Sequence, residues 1–400
     1  MKKYSSFLDF GKLRLSYGEN GNRSIGRYAA LSNLASGSYT YITPSGQTVS
    51  VGRVTTNNIS NPNLKWERNS SINVGLDYGI LNSRITGSID YYDRSTKDLL
   101  VLRALPNVTG FANVITNLGQ VDNKGFEFSI NSVNTVSKKF EWRTNLGFWT
   151  NQNKIVKLYG PVPVKGPDGS ITDYVEQDDI ANNWFIGKEI GVVYDYKVTG
   201  VWQQADAAEA KSYGFTPGDF RLEDLNGDGK YTIADRQFIG SRNPDFSFNL
   251  RNEFKLYKNF DFSFSLYGRL GQLSQFNEAK NVDRFYDRSQ FYKRPYWTPD
   301  NPINDYAKMM SAAGSGVAFN VWRKSSFVRL NNISLAYSVP KNLIKRLNID
   351  DLRAYFNIQN AAVFSSWDFF DPENVNPNDN GDNSKSISPR TYSFGINLVL

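Results

Sequence analysis

The stretch EDLNGDGKYTIADRQ, Glu223 to Gln237, holds the residues whose spacing most clearly suggests chemistry. Counted from Asp224, it sets Asp224, Asn226, Asp228, Gly229 and Asp235 at loop positions 1, 3, 5, 6 and 12, the spacing of an oxygen cage for a hard cation such as Ca2+. In that reading Asp224, Asn226, Asp228, Asp235 and the backbone carbonyl of Lys230 are the ligands, and Gly229 makes the sharp turn around the ion. The plain alternative is a run of Asn-Gly and Asp-Gly turns. No helical pattern flanks the loop, and Asp235 is shorter than the usual glutamate at position 12. The expectation is an ion that staples a loop, not a sensor that opens a helix pair, and no cofactor is otherwise required.

Other chemistry is largely removed by composition. The chain has no histidine and no cysteine, so Ser/His/Asp triads, thiol nucleophiles and nearly all zinc or copper sites are absent. Adjacent acids such as Asp178–Asp179 and Asp350–Asp351 point apart and mark no pocket, which leaves a glycosidase without support. GRLGQL (Gly268–Leu273) lacks the spacing of a phosphate loop. No enzyme is expected. The formal charge of +7 is spread over 46 basic and 39 acidic residues without a run of four Lys or Arg, so nucleic acid is not an expected partner.

Aromatic residues concentrate in the segments between patterned stretches: Trp184, Trp202, Phe285, Tyr286, Tyr292, Tyr296, Trp297 and Trp322. Flat rings beside Asn, Asp and Arg suit sugar recognition by stacking and hydrogen bonding. Trp184, Trp202, Tyr292, Tyr296 and Trp297 are therefore the candidate substrate contacts, with packing inside the loops as the alternative.

The elements that position these residues read as strands. TYSFGINLVL sets Tyr392, Phe394, Ile396, Leu398 and Leu400 on one face and Ser393, Gly395 and Asn397 on the other. SSINVGLDYG and NFDFSFSLYG repeat the design. Ten such strands are predicted, near 10–18, 70–80, 84–93, 124–132, 140–150, 245–256, 259–270, 326–338, 351–360 and 391–400. At roughly nine to thirteen residues, each matches a tilted strand crossing a bilayer.

Connections alternate between short and long. Short ones follow the second, fourth, sixth and eighth strands, the last with a short helix at PKNLIKRL; long segments of roughly 50, 30, 95, 55 and 30 residues lie between, the rhythm of an outer-membrane barrel. The polar face carries Asp245, Asn249, Arg251, Glu253 and Lys255, and Tyr91, Tyr92, Trp142 and Trp149 are expected in interfacial girdles. The amino terminus, MKKYSSFLDFGKLRLSYG, has no apolar run for a signal peptide, because Asp9, Lys12 and Arg14 interrupt it. The expectation is the carboxy-terminal part of a larger barrel.

LRLSYGENGN (Leu13–Asn22), NPNLKWERNSSINVGLDYGIL (Asn61–Leu81), NVTGFANVITNLGQVDNKGFEFSIN (Asn107–Asn131) and GDFRLEDLNGDGKYTIADRQFIGSRNPDFSFNL (Gly218–Leu250) follow one another, then SSFVRLNNISLAYSVP (Ser325–Pro340) and SPRTYSFGINLVL (Ser388–Leu400). In this order they resemble the carboxy-terminal half of SusC/RagA-type TonB-linked outer-membrane transporters, across essentially residues 1–400. The resemblance implies an all-β, antiparallel transmembrane β-barrel, here ten strands of about 22, a size class with a plugged lumen. It implies import of an oligosaccharide or peptide cargo, a SusD-like lipoprotein lid, the TonB complex acting through a plug region, and outer-membrane lipid around the wall. The chain departs from the family in lacking a signal peptide, TonB box, plug and first strands, and in ending on Leu400 where an aromatic is usual. With the last strand ending at the periplasm, the short turns are periplasmic and 151–244 is a large extracellular segment. GVVYDYKVTGVWQ (Gly191–Gln203) is then expected as an extracellular hairpin. The alternative is a soluble or surface-anchored all-β glycan-binding protein without transport.

Overall fold

The computed structural model describes residues 7–22, 26, 28–105, 107–280, 295–311, 317–345, 349–367, 371–373 and 388–399. Ten strands form one sheet: β1 (Leu8–Asn22), β2 (Glu67–Ile80), β3 (Ile85–Ala104), β4 (Asn113–Val136), β5 (Phe140–Lys157), β6 (Phe246–Leu256), β7 (Phe260–Leu270), β8 (Phe327–Ser338), β9 (Asp351–Ser365) and β10 (Thr391–Val399). Each pairs antiparallel with its neighbour in sequence, so the sheet is an up-and-down meander with β1 and β10 at its edges. All ten predicted strands are present. Several run longer than the alternation suggested, above all β4 at 24 residues and β3 at 20.

That extra length corrects one connection. The stretch between the third and fourth strands, expected as a loop of about 30 residues, is mostly hairpin, because Leu99–Ala104 pairs with Asn113–Gly119 and only 105–112 remains between the strands. The continuation was obscured by a bulge at Thr96/Leu99, where Asp98 takes a positive φ of 56° and accepts a 2.8 Å hydrogen bond from Arg68 Nε. The other ends of the strands join through 81–84, 137–139, 257–259 and 339–350, the last carrying a short helix at Lys341–Ile344.

Paired residues share a face, and the rows differ sharply. Leu13, Leu76, Ile89, Phe128, Phe148 and Phe248 lie in one row, opposite partner to opposite partner. The adjacent row, on the other face, holds Arg14, Gly75, Asp90, Glu127, Trp149, Ser247 and Arg269. Large apolar side chains stand exposed right across this face, from Leu76 (39%) and Phe126 (39%) to Leu335 (45%) and Phe394 (71%), so no described residue covers it, which is the condition of a lipid-facing wall. Its turn-side rim is aromatic: Trp142 stacks on Phe254 at 5.8 Å, Phe254 on Phe262 at 5.8 Å, and Phe260 meets Tyr337 at 4.5 Å.

The polar face carries several bridged charges. Arg14 reaches Asp77 and Asp90 at 2.8 Å each, and a Cβ at Gly75 would stand 2.3 Å from Asp90 Oδ1, so only glycine lets that bridge cross the strand. Near the turns, Arg251–Glu253 (2.7 Å) and Arg353–Asp261 (3.1 Å) continue the pattern.

Candidate functional site

The segments at the other end of the strands fold into a body with its own core. Residues 158–245 and 271–326 contribute Trp202, Phe220, Tyr231, Phe276, Trp297 and Phe319 to one buried cluster, with Trp367 from the segment after β9. Three buried carboxylates hold this body together, each fully engaged. Asp195 accepts hydrogen bonds from Asn320 Nδ2 and Trp322 Nε1, both at 2.9 Å. Asp219 accepts from Thr216 Oγ1 and Ser311 Oγ at 2.8 Å and sits 3.2 Å from Lys308 Nζ. Asp235, with no exposure, accepts from Leu225 N at 3.0 Å and Thr232 N at 2.7 Å.

The GVVYDYKVTGVWQ stretch lies outside the ten-stranded sheet, but does not pair with itself. Val192–Tyr196 pairs with Arg236–Ser241, and Val198–Val201 with Phe220–Leu222, so two small ribbons bracket the Asp224 loop. That partner choice depends on contacts across some 40 residues, which period-2 alternation does not encode.

In the loop itself, Asp224 Oδ1 accepts from Gly227 N at 2.8 Å, and Oδ2 accepts from Gly229 N at 2.9 Å and from the Tyr213 hydroxyl at 2.8 Å. Asn226 Oδ1 accepts from Asp228 N, and Asp228 Oδ1 from Lys230 N. Asn226, Asp228 and Lys230 are exposed, Asp224 is half-buried and Asp235 buried. Among the described residues no three acidic side chains gather as a metal-holding group. The loop is thus a hydrogen-bonded set of turns that brings the five candidate ligands into one segment with its acids turned onto its own N–H groups.

Burial works against ionisation of Asp224, yet the bonds from Tyr213, Gly229 and Gly227 outweigh it and hold the carboxyl below its usual range. The Tyr213 phenol, donating to Asp224 and partly buried, is pushed up to about 12. A depressed folded value means that Asp224 stabilises the loop fully above the unfolded pKa of about 3.9 and loses this as pH falls through the folded value. Limited proteolysis between 222 and 236 is expected to speed up in that acidic window in wild type, and to be fast and flat with pH in Asp224→Ala.

The candidate rings divide. Trp202 is fully buried and Trp297 is 5% exposed, its Nε1 donating to Gln203 Oε1 at 2.8 Å, so both serve as core. Trp184 is half-buried, its backbone bridged to Asp179. Tyr296 is exposed. Tyr292, like Phe285 and Tyr286, lies outside the described residues. The girdle aromatics divide too. Tyr91 and Trp142 lie on the apolar face, but Tyr92 and Trp149 lie on the polar one, because Tyr92 is paired with Asn73 and Trp149 with Glu127 and Ser247. Consecutive strand residues cannot share a face, so Tyr91 and Tyr92 had to separate.

Two further features had no signature in the sequence. Where β5 runs past its last partner in β6, a cleft of about 1180 Å³ opens between the wall and the loop body. Lys124, Asn151 and Asn153 line it from the wall, and Lys188, Glu189 and Asn243 from the loops. It is braced by Ile190 N donating to Asn153 Oδ1 at 2.6 Å and Asn243 Nδ2 to Glu189 Oε2 at 3.0 Å. The second feature is a buried clamp: Arg329 on β8, 1% exposed, pairs with Asp371 and lies 3.2 Å from Glu373, which also accepts from the Tyr267 hydroxyl.

Comparison with known proteins agrees with this architecture. Residues 4–361 match the family described as TonB dependent receptor-like, beta-barrel. The chain is 31% identical to TonB-dependent receptor P3 of Formosa agariphila over 99% of its own length and 40% of that protein's. It is 32% identical to TonB-dependent receptor SusC of Bacteroides thetaiotaomicron over 90% of itself and 35% of SusC. It therefore spans well under half the length of these relatives. In fold it superposes on the RagAB peptide transporter with a TM-score of 0.73 at 23% identity, covering 99% of this chain and 42% of that one. An uncovered apolar face, a polar face with bridged charges and long segments at one end of a ten-stranded meander suit a barrel wall, and the chain belongs to the TonB-dependent receptor β-barrel family of the outer membrane, with SusC among its relatives.

Proposed function

We propose that this chain forms the carboxy-terminal wall and outer loops of an importer that takes up an oligosaccharide or peptide across the outer membrane. The observation that carries the reading is the pairing of two unlike faces in one sheet: an apolar face that no described residue covers, and a polar face that carries bridged charges such as Arg14–Asp77 and Arg353–Asp261. In this reading the loop body, including 158–244, stands on the extracellular side and the short turns face the periplasm, while 151–157, expected as part of that segment, continues the wall strand β5. A SusD-like lipoprotein closes over the loop body, and the TonB complex acts through a plug held by the rest of the barrel. No step of the process makes or breaks a covalent bond in the cargo. A soluble all-β glycan-binding protein does not fit a sheet whose apolar face stands uncovered.

Deleting the gene and measuring growth on single glycans or peptide mixtures as sole nutrient tests the reading. Loss of growth on one class, restored by the full-length gene, is expected; unchanged growth and uptake on all of them would overturn it.

The Asp224 loop carries a second proposal. A Ca2+ ion would be held by Asp224, Asn226, Asp228, the Lys230 carbonyl and Asp235, and would stiffen the ribbons on either side. The spacing of these residues in one segment supports it, and binding would have to turn the acids from the loop's own N–H groups onto the ion. Calcium is expected to slow cleavage between 222 and 236 at neutral pH, and equal cleavage with calcium or a chelator would count against the ion.

A further inference from the structure

Asn-Gly is among the least durable pairs in a polypeptide, because glycine has no side chain to keep its nitrogen away from the asparagine Cγ. This chain has three such pairs, Asn20–Gly21, Asn226–Gly227 and Asn380–Gly381. The first lies in β1, paired with Asn69 and Arg68 of β2, and the last lies outside the described residues. Asn226–Gly227 stands in the exposed part of the Asp224 loop. Gly227 takes a positive φ of 69°, and a Cβ placed there would meet no described residue within 4 Å. Bulk does not shield this pair.

Its protection is a set of hydrogen bonds. Gly227 N–H donates to Asp224 Oδ1 at 2.8 Å, and Gly229 N and the Tyr213 hydroxyl fix the other carboxylate oxygen. Asp228 holds the Asn226 carboxamide at both ends: its N–H donates to Oδ1 and its Oδ2 accepts from Nδ2, each at 3.0 Å. The two groups that would react are thus tied to different partners, and neither can turn to the other while the loop is closed. The Asp224 carboxylate also opposes loss of the Gly227 proton, since negative charge would then build up beside negative charge.

We infer that Asn226 is a self-modification site held latent by Asp224, and that it converts to aspartate or isoaspartate when the loop opens. In the first step the Gly227 nitrogen forms a bond to Asn226 Cγ, the Cγ–Nδ2 bond breaks, and ammonia leaves with the amide proton. Water then adds to either carbonyl of the cyclic imide and opens it. Opening at Cγ restores the main chain with an aspartate. Opening at the main-chain carbonyl leaves isoaspartate, whose backbone runs through the side chain and is one carbon longer. No enzyme, cofactor or oxidant takes part. Either product sets a new carboxylate between Asp224 and Asp228, and isoaspartate also removes the turn that Asp228 N closes. The change runs one way, so altered loops record past opening. The inference is independent of the cargo and of any bound ion.

The test holds the full-length transporter in detergent at mildly alkaline pH with a chelator present, and follows Asn226 by peptide mass mapping. Folded wild type is expected to convert about ten-fold more slowly than the same chain in urea, and Asp224→Ala to lose most of that difference. Equal rates for folded and unfolded wild type, or an Asp224→Ala as slow as wild type, would overturn the proposal. Should Asp224→Ala loosen the whole loop body, seen as protease cutting throughout 158–245, Asp224→Asn decides, because it keeps an acceptor and gives up the charge. It must convert faster than wild type, and an equal rate overturns the latch.

Discussion

Arg329→Ala is expected to be among the most damaging single substitutions in this wall, lowering the stability of the loop-side end by about 3–5 kcal/mol. The guanidinium is almost without solvent contact, and so is the Asp371 carboxylate it pairs with, while Glu373 is partly open. Taking away the cation leaves two acids in a poorly hydrated site, one of them still accepting from Tyr267. The cost is mainly that of the unpaired charges, not of the lost attraction. Arg329→Lys is expected to rescue only part of it, because one ammonium cannot address two carboxylates in the way a planar fork does. Arg329→Met combined with Asp371→Leu and Glu373→Leu should recover most of the loss, since no buried charge then stands alone. The readout is denaturant unfolding in detergent together with protease cutting after β9; wild-type behaviour of Arg329→Ala would show the clamp to be idle. Burial opposes ionisation of Asp371, but bonds from Ser388, the Glu373 N–H and Arg329 win and hold its carboxyl below the usual range. The clamp is therefore complete above about pH 3.9 and weakens as acid passes through the lower folded value.

Trp202→Ala is expected to cost about 3–5 kcal/mol as well, but in a different place. Trp202 is the largest fully buried side chain among the described residues, set against Tyr213 at 5.8 Å and beneath the Arg221 guanidinium at 4.4 Å. The void left by an indole cannot be filled by a core made mostly of rings, whose shapes adapt poorly. Because the cluster draws on 158–245, 271–326 and Trp367, the whole loop body should loosen together, while the backbone ladder of the ten strands stays closed. Protease sites throughout both long segments should open, with gel mobility of the folded barrel unchanged. Cutting confined to the neighbourhood of Trp202, or collapse of the barrel itself, would show that the loop body is not a separate cooperative unit.

The expected ring contacts illustrate how far residue type can be read. Trp202 and Trp297 looked like surface rings because they sit in long polar segments, and sequence context alone does not tell a loop from a loop that folds. What decides is that Phe220, Phe276 and Phe319, far apart in the chain, converge on them. Polarity of the segment hid that core, since its buried polar groups, Asp195, Asp219 and Asp235, are satisfied internally and look like ordinary loop acids in sequence. The clamp was equally hidden, with Arg329 and Asp371 separated by 42 residues and recognisable as partners only by burial.

By itself the sequence determined the wall. A strand's side chains alternate by covalent geometry, so a run such as Tyr392, Phe394, Ile396 and Leu398 names its apolar face before any partner is known, and short turns then force each strand onto its neighbour. The same logic gave the Asp224 loop its turns, because Asx side chains bond backbone a few residues away. The same alternation sets Trp149 opposite Phe148 and so on the polar face, whereas only tertiary structure decided that Leu99–Ala104 continues the wall as a hairpin. It also decided which rings are core, where the cleft opens and which charges meet. Those outcomes depend on contacts between residues distant in the chain, and local pattern carries no information about distant partners.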